Sequence, residues 1–430
     1  MKRNRKAKIL ATLGPASSSS SIIEKLFSSG CDVFRLNFSH GAIEDHRKNL
    51  EIIRSLEKKY NHPSCILADL QGPKLRIGNF VNKKENLIKG QTFTLDLINK
   101  SGDKSRVNFS HPEIYEFLTP NTIILIDDGK LRMQIIDQKN DLLIAEVLNN
   151  GEISDNKGLN IPDAILPISS LTTKDKSDLN KALEMGVDWV AQSFVQTVDD
   201  VKELKKIVGS TASVMAKIEK PAAVKNIQEI IEEADGIMIA RGDLGVELPP
   251  ENIPAIQKKI INECRDKGKP VVVATQMLES MIDNPTPTRA EASDVANAIY
   301  DGSDAVMLSA ESAIGKYPVE TVTIMNKIIE SVEKDKENYN LSVQNEMKNS
   351  KKTNTTDAIT SAAYSISQNA GAKAIITFSV SGKTTSRMSR ERAPVQIIGI
   401  SPNIGTARKL QIMWGVNSCF NNDAHDTKEM

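Results

Sequence analysis

The chain has 430 residues, of which 40% are apolar, 26% charged and 4% aromatic, and its 55 Lys+Arg balance 55 Asp+Glu. That length predicts two or three domains with a large core. The neutral balance and scarcity of rings exclude a nucleic-acid surface built from basic patches and stacking aromatics, and no stretch has the apolar length of a membrane span.

The first residues, Met1-Lys-Arg-Asn-Arg-Lys6, are basic, but Ile9-Leu10 runs straight into Thr12 and Gly14 without a signal-peptide apolar region. Cys31, Cys65, Cys264 and Cys419 lack metal-ligand spacing. They are expected to be reduced core thiols of a cytoplasmic protein. The Ser17–Ser21 run predicts a loop and helix N-cap.

Short apolar runs cover 8–14, 33–40, 64–70, 189–195, 213–219, 236–241, 271–277 and 305–311, separated by stretches of helical period. Strand alternating with helix implies parallel pairing and right-handed crossovers. The fold class expected is α/β, a closed (β/α)8 TIM barrel over 1–73 and 161–335. Residues 74–160 interrupt it with β-type runs and turn signals (Asp127-Asp-Gly129, Asn149-Asn-Gly151), predicting a small β-barrel lid domain. Leaving from the catalytic end, such a lid can exclude water. Residues 331–353 are polar and read as a linker or exposed helix end. Residues 336–430 are expected as a C-terminal α/β domain, with helices near 355–369, 382–391 and 404–412 and strands at 373–379, 395–400 and 416–420. Three strands make a small layer, so this domain reads as incomplete.

The predicted strand ends carry Thr12; Arg35, Asn37 and Ser39; Asp69; Gln192 and Ser193; Lys217 and Glu219; Arg241 and Asp243; Thr275 and Gln276; Ser309 and Glu311. Barrel enzymes build their sites at C-terminal strand ends, and buried charges are costly unless paired. Glu219 and Asp243 can hold a divalent cation, and Lys217 and Arg241 an anion. That pairing suits phosphoryl transfer or enolate chemistry. Met277, Met281 and Met307 read as core fillers, and Arg387 to Arg392 as a solvated helix face.

Six segments resemble pyruvate kinase in order along the barrel: Arg35-Leu-Asn-Phe-Ser-His-Gly41, Ala216-Lys-Ile-Glu219, Ile239-Ala-Arg-Gly-Asp-Leu-Gly245, Ala274-Thr-Gln-Met-Leu-Glu-Ser280, Pro287-Thr-Arg-Ala-Glu291 and Asp294-Val-Ala-Asn297. The resemblance runs from about residue 5 to 420. It implies transfer of the phosphoryl group of phosphoenolpyruvate to ADP, followed by protonation of the enolate to pyruvate, in glycolysis. Catalysis is then mostly positioning and charge stabilisation. It implies that Glu219 and Asp243 bind Mg2+ or Mn2+, and that Gly242 offers its N–H to the substrate carboxylate. Lys217 stabilises the transition state, Arg35 clamps the phosphoryl group, Thr275 binds substrate, and Ser309 and Glu311 belong to proton delivery. Nucleotide contacts fall to Asn37, Phe38, Ser39, His40, Arg76 and Lys157. Arg241 is expected to organise the site by pairing with a carboxylate.

The resemblance also carries departures. Many family members hold K+ with residues matching Asn37, Ser39, Asp69 and the position of Leu70, and carry Thr and Glu where this chain has Leu70 and Lys74. Leu and Lys there resemble the potassium-independent branch, so Lys74 near Asp69 is expected to replace K+. Lys220-Pro-Ala-Ala223 departs at the start of the following helix. Ser379-Val-Ser-Gly-Lys-Thr-Thr385 resembles an effector-phosphate loop, with part of the pocket beyond residue 430. The family implies a homo-oligomer, usually a tetramer, which the short C-terminus puts in question. Alternatives are a metal-dependent pyruvate-enolate aldolase or lyase on the same barrel, which needs no nucleotide clamp, and a catalytically impaired truncated form.

Overall fold

A computed structural model of the chain describes residues 3–139, 141–162, 164–335 and 355–422. Strands β1 (Lys8–Leu13), β2 (Val33–Asn37) and β3 (Cys65–Asp69) lead into the insertion. The insertion holds β4 (Lys84–Leu87), β5 (Thr92–Asp96), β6 (Arg106–Asn108), β7 (Ile123–Ile126), β8 (Leu131–Lys139), β9 (Leu142–Val147), β10 (Gly151–Ser154) and β11 (Leu159–Asn160). Strands β12 (Trp189–Gln192), β13 (Ser213–Ile218), β14 (Gly236–Ala240), β15 (Val271–Ala274) and β16 (Ala305–Leu308) follow. A three-stranded parallel sheet of β17 (Ala374–Phe378), β18 (Gln396–Ser401) and β19 (Val416–Phe420) ends the described chain.

The barrel closes in the order β1-β16-β15-β14-β13-β12-β3-β2, every pair parallel. All eight predicted runs are its strands. They read as continuous apolar runs because both faces are covered: every residue of β1, β3, β12, β14, β15 and β16 is buried. Helix starts follow their caps. Ser19 Oγ accepts from Ile22 N, and Thr172 and Thr288 form capping boxes with Asp175 and Glu291. In the insertion, a six-stranded sheet (β11-β7-β8-β9-β5-β6) and a β10-β4 ribbon share one apolar core that includes Leu87, Phe93, Ile124 and Ile153. Among the described residues, no helix is long and apolar enough to cross a membrane.

Inside the barrel, Leu10, Val33, Leu67, Met215, Met238, Val272 and Met307 pack in a cluster that continues into Met388, Ile397, Leu410, Ile412 and Val416 of the C-terminal sheet region. Polar contacts pin the same junction. Arg392 donates to Asp304 Oδ1 (3.0 Å) and Gly302 O (2.7 Å), Trp414 N to Asp304 Oδ1 (3.2 Å), and Trp189 Nε1 to Lys409 O (3.2 Å). The basic run expected as a solvated face is therefore partly structural. Arg392 is buried, and Arg390 pairs with Asp357 at 3.1 Å. The sequence shows the charges, but only the packing supplies their acceptors. Cys31, Cys65 and Cys264 are core thiols as expected, whereas Cys419, near the end of β19, is exposed.

Lys8 is fully enclosed at this junction and donates to Val416 O at 2.6 Å. Burial lowers its pKa to about 8, against the attraction of Asp32. The unfolded chain holds this proton up to the ordinary lysine value of 10.5, so the folded state carries a penalty below pH 8 that is relieved as the pH rises. The unfolding free energy of wild type minus that of Lys8→Met is expected to rise by roughly 3 kcal/mol between pH 8 and 10.5. Denaturant titrations of both proteins measure it; a flat difference shows an unshifted lysine.

Candidate active site

The C-terminal strand ends converge on a cluster of four buried charges. Arg35, from β2, donates through Nε to Asp69 Oδ2 at 2.7 Å and pairs with it again through Nη2 at 2.7 Å. Lys217, from β13, lies 3.1 Å from Asp69 Oδ1 and 2.9 Å from Glu219 Oε1. Neutral groups complete the set. Arg35 Nη1 donates to Thr12 Oγ1 (2.9 Å), and Lys217 Nζ to Ser193 Oγ (2.6 Å). Ser193 Oγ in turn donates to Leu70 O (2.7 Å). Burial opposes the charge on Lys217, but Asp69 and Glu219 outweigh it and its pKa is raised. Burial likewise opposes the Asp69 carboxylate, but Lys217 and Arg35 hold its pKa below the ordinary value. Lys217 and Asp69 thus stay ionised out of water, each dependent on its partners.

One wall comes from the turn after β14. Arg241–Glu247 is a short helix. Arg241 reaches Asp294 Oδ1 and Oδ2 at 2.8 and 2.7 Å and donates to Thr275 O at 2.9 Å, the organising pair expected. Gly242 N donates to Thr275 Oγ1 at 2.6 Å, so the two residues expected to meet substrate already meet each other. A Cβ at Gly242 would lie 3.3 Å from that hydroxyl. Thr275 and Gln276 have φ of 71° and 54°, a strained backbone typical of functional turns.

Asp243 lines a cleft of about 1060 Å³ together with Lys74, Asp128, Arg241, Gly242 and Gln276. Enclosure and the charge of Glu219 raise its pKa, against the pull of Lys217 and Lys74. Glu219 Oε2 accepts from Phe194 N at 2.8 Å. Among the described residues no group of three or more His, Cys, Asp and Glu forms a metal cage. Two mutually repelling carboxylates with hard oxygens nevertheless fit a divalent ion that keeps places for substrate and water.

On the lid side, Lys157 Nζ pairs with Asp127 Oδ1 at 2.9 Å, and Arg76 donates to Asn156 O at 2.7 Å. Asn37 Oδ1 accepts from Ser39 N (3.1 Å), Phe38 O from Lys174 Nζ (2.8 Å), and His40 is exposed with its carbonyl 3.0 Å from His46 Nε2. Glu311 accepts from Ser309 N (2.7 Å) and Leu278 N (3.2 Å), and burial raises its pKa. Lys74 was expected near Asp69 as the substitute for K+. Arg35 and Lys217 hold that carboxylate, and Lys74 lines the cleft with Asp128 and Asp243. The chain turns at Gly72 (φ 71°) before reaching Lys74. Asp128 was read only as part of a turn. Its placement at a tip of the insertion was the available signal. Gln192 points elsewhere, donating to Ser170 Oγ and Asp200 O.

Known proteins match this arrangement. The family model "Pyruvate kinase, barrel domain" matches residues 4–322, and "Pyruvate kinase, alpha/beta domain" matches 357–430. A pyruvate kinase of Methylorubrum extorquens is 49% identical over 100% of this chain and 90% of its own length. One from Agrobacterium vitis is 46% identical over 99% of this chain and 88% of its own. The crystal structure of a Cryptosporidium parvum pyruvate kinase superposes with a TM-score of 0.94 at 35% identity, covering 99% of this chain and 88% of that one.

Proposed function

Because this chain belongs to the pyruvate kinase family, we propose specific roles for its site residues in the transfer of phosphoryl from phosphoenolpyruvate to ADP. The chain is a phosphotransferase of that kind and forms pyruvate and ATP in glycolysis. The family generally needs a divalent metal. The observation that carries the assignment is the four-charge cluster, whose Glu219 and Lys217 act on the Asp243 carboxylate beside the Gly242–Thr275 contact.

In this reading, the barrel (1–73 and 161–335), the lid (74–160) and the C-terminal segment (336–430) act as three domains. Glu219 and Asp243 hold Mg2+ or Mn2+, which when bound supplies Lewis-acid charge to substrate oxygens. Gly242 N–H and Thr275 Oγ receive the substrate carboxylate by exchanging their mutual hydrogen bond for it. Arg35 orients the phosphoryl group, its own orientation set by Asp69 and Thr12. Lys217 follows the charge from the phosphoryl oxygens to the enolate oxygen, so it stabilises the transition state more than the ground state. Ser309 and Glu311 belong to the proton path to the enolate carbon. The raised Glu311 pKa favours a carboxyl that can hold a proton. Asn37, Phe38, Ser39, His40, Arg76 and Lys157 receive the nucleotide. A cytoplasmic homo-oligomer is the form proposed for the working enzyme.

K+ is not required in this reading. Asp69 already has two cations, and Lys74 adds fixed positive charge beside Asp128 and Asp243. Turnover in tetramethylammonium is expected to match that in K+, and Lys74→Glu to become K+-activated; many-fold activation of wild type by K+ overturns the idea. Lys217→Met is expected to lower kcat about a hundredfold or more in a coupled assay while Mn2+ binding persists. Retained turnover removes Lys217 from catalysis.

A further inference from the structure

Lys220, whose sequence context raised only a question about helix geometry, sits between the lid and both proposed metal ligands. Its ammonium is buried against Glu247, at the end of the short helix that carries Gly242 and Asp243. Asn160, the last residue of β11 on the lid's return, donates through Nδ2 to the same Glu247 Oε1 at 2.8 Å. Lys220 also lies 5.8 Å from the centroid of the Phe194 ring. Phe194 has a left-handed φ of 57°, and its N–H donates to Glu219 Oε2. The ring is seated where a Cβ at Gly72 would come within 2.6 Å of it, at the chain's way out to the lid. The other Glu247 oxygen, Oε2, is buried without a hydrogen-bond partner, and burial raises the Glu247 pKa against the attraction of Lys220.

We propose that Asn160, Glu247 and Lys220 form a strut that transmits the lid's position to the two metal ligands. Glu247 fixes the helix bearing Asp243, and Lys220 steadies Phe194, which aims Glu219. A bare stabilising ion pair would need neither the lid residue nor the ring. Glu247 serves two donors on one oxygen, so a lid shift that withdraws Asn160 alters the carboxylate that also orients Lys220. These are positioning residues, since none is assigned a contact with substrate. The inference rests on the reading of Glu219 and Asp243 as the metal site.

The test is direct Mn2+ affinity by electron paramagnetic resonance on the full chain, without substrates. Lys220→Met is expected to weaken Mn2+ binding about tenfold, the size of other losses of groups that orient metal ligands, and Lys220→Arg to restore most of it. Asn160→Ala is expected to weaken binding by a smaller factor. The double variant is expected to bind no worse than Lys220→Met alone, because both changes cut one chain of contacts. Additive losses, or unchanged affinity in the folded variants, overturn the strut. If Lys220→Met fails to fold, Asn160→Ala decides by itself, since Asn160 is only half-buried: weakened binding supports the strut and native affinity overturns it. Asp243→Asn separates the two readings. If it leaves Mn2+ affinity native, the metal site and the strut both fall; if it abolishes binding while Asn160→Ala leaves binding native, the strut alone falls.

Discussion

Arg35, Asp69, Lys217 and Glu219 are linked in a chain of ion pairs at the end of an otherwise apolar barrel. Ions in such a place are tolerated only when each is paired and the remaining polar atoms are satisfied. The barrel meets that condition by bringing β2, β3 and β13 to the same level, with Thr12 and Ser193 closing the network from β1 and the end of β12. The cluster is also chemically prepared. Lys217 keeps its proton firmly, so it can stabilise developing anionic charge without rearrangement, the condition for electrostatic preorganisation.

The surrounding structure distributes three tasks around that cluster. The Arg241–Asp294 pair and the Gly242–Thr275 contact make a rigid wall. The insertion brings Asp128 to the cleft, next in sequence to the Asp127 that pairs with Lys157. The C-terminal sheet closes the opposite end of the barrel, where Met307 and Leu10 share a core with Ile397 and Val416. The buried Lys8 and Arg392 contacts tie that end down. The charged cluster and the anchors of the C-terminal sheet thus lie at opposite ends of the barrel.

Much of this was legible in the chain. A strand enclosed on both faces must be apolar throughout, so the eight barrel strands stand out as runs, and the charges that interrupt them at one end stand out equally. Glu219, Asp243 and Lys217 were therefore visible as a group before any geometry. Lys74 shows where such reading stops. The sequence shows its charge, but only the folded chain sets it in the cleft lining with Asp128 and Asp243. Lys220 shows the same limit. Its significance lies in a carboxylate 27 residues away and in a lid asparagine.

The sequence by itself determined the alternating α/β architecture, the end of the barrel that carries the charged residues and the residue types available there. These follow from burial periodicity and from the cost of stranded charge, which act locally along the chain. Only the tertiary structure decided which charges pair: Arg35 with Asp69, Arg241 with Asp294, Arg392 with Asp304 and Lys220 with Glu247. Ion pairing depends on distances of a few ångströms between distant segments, and those distances exist only once the barrel has closed and the lid has returned to it.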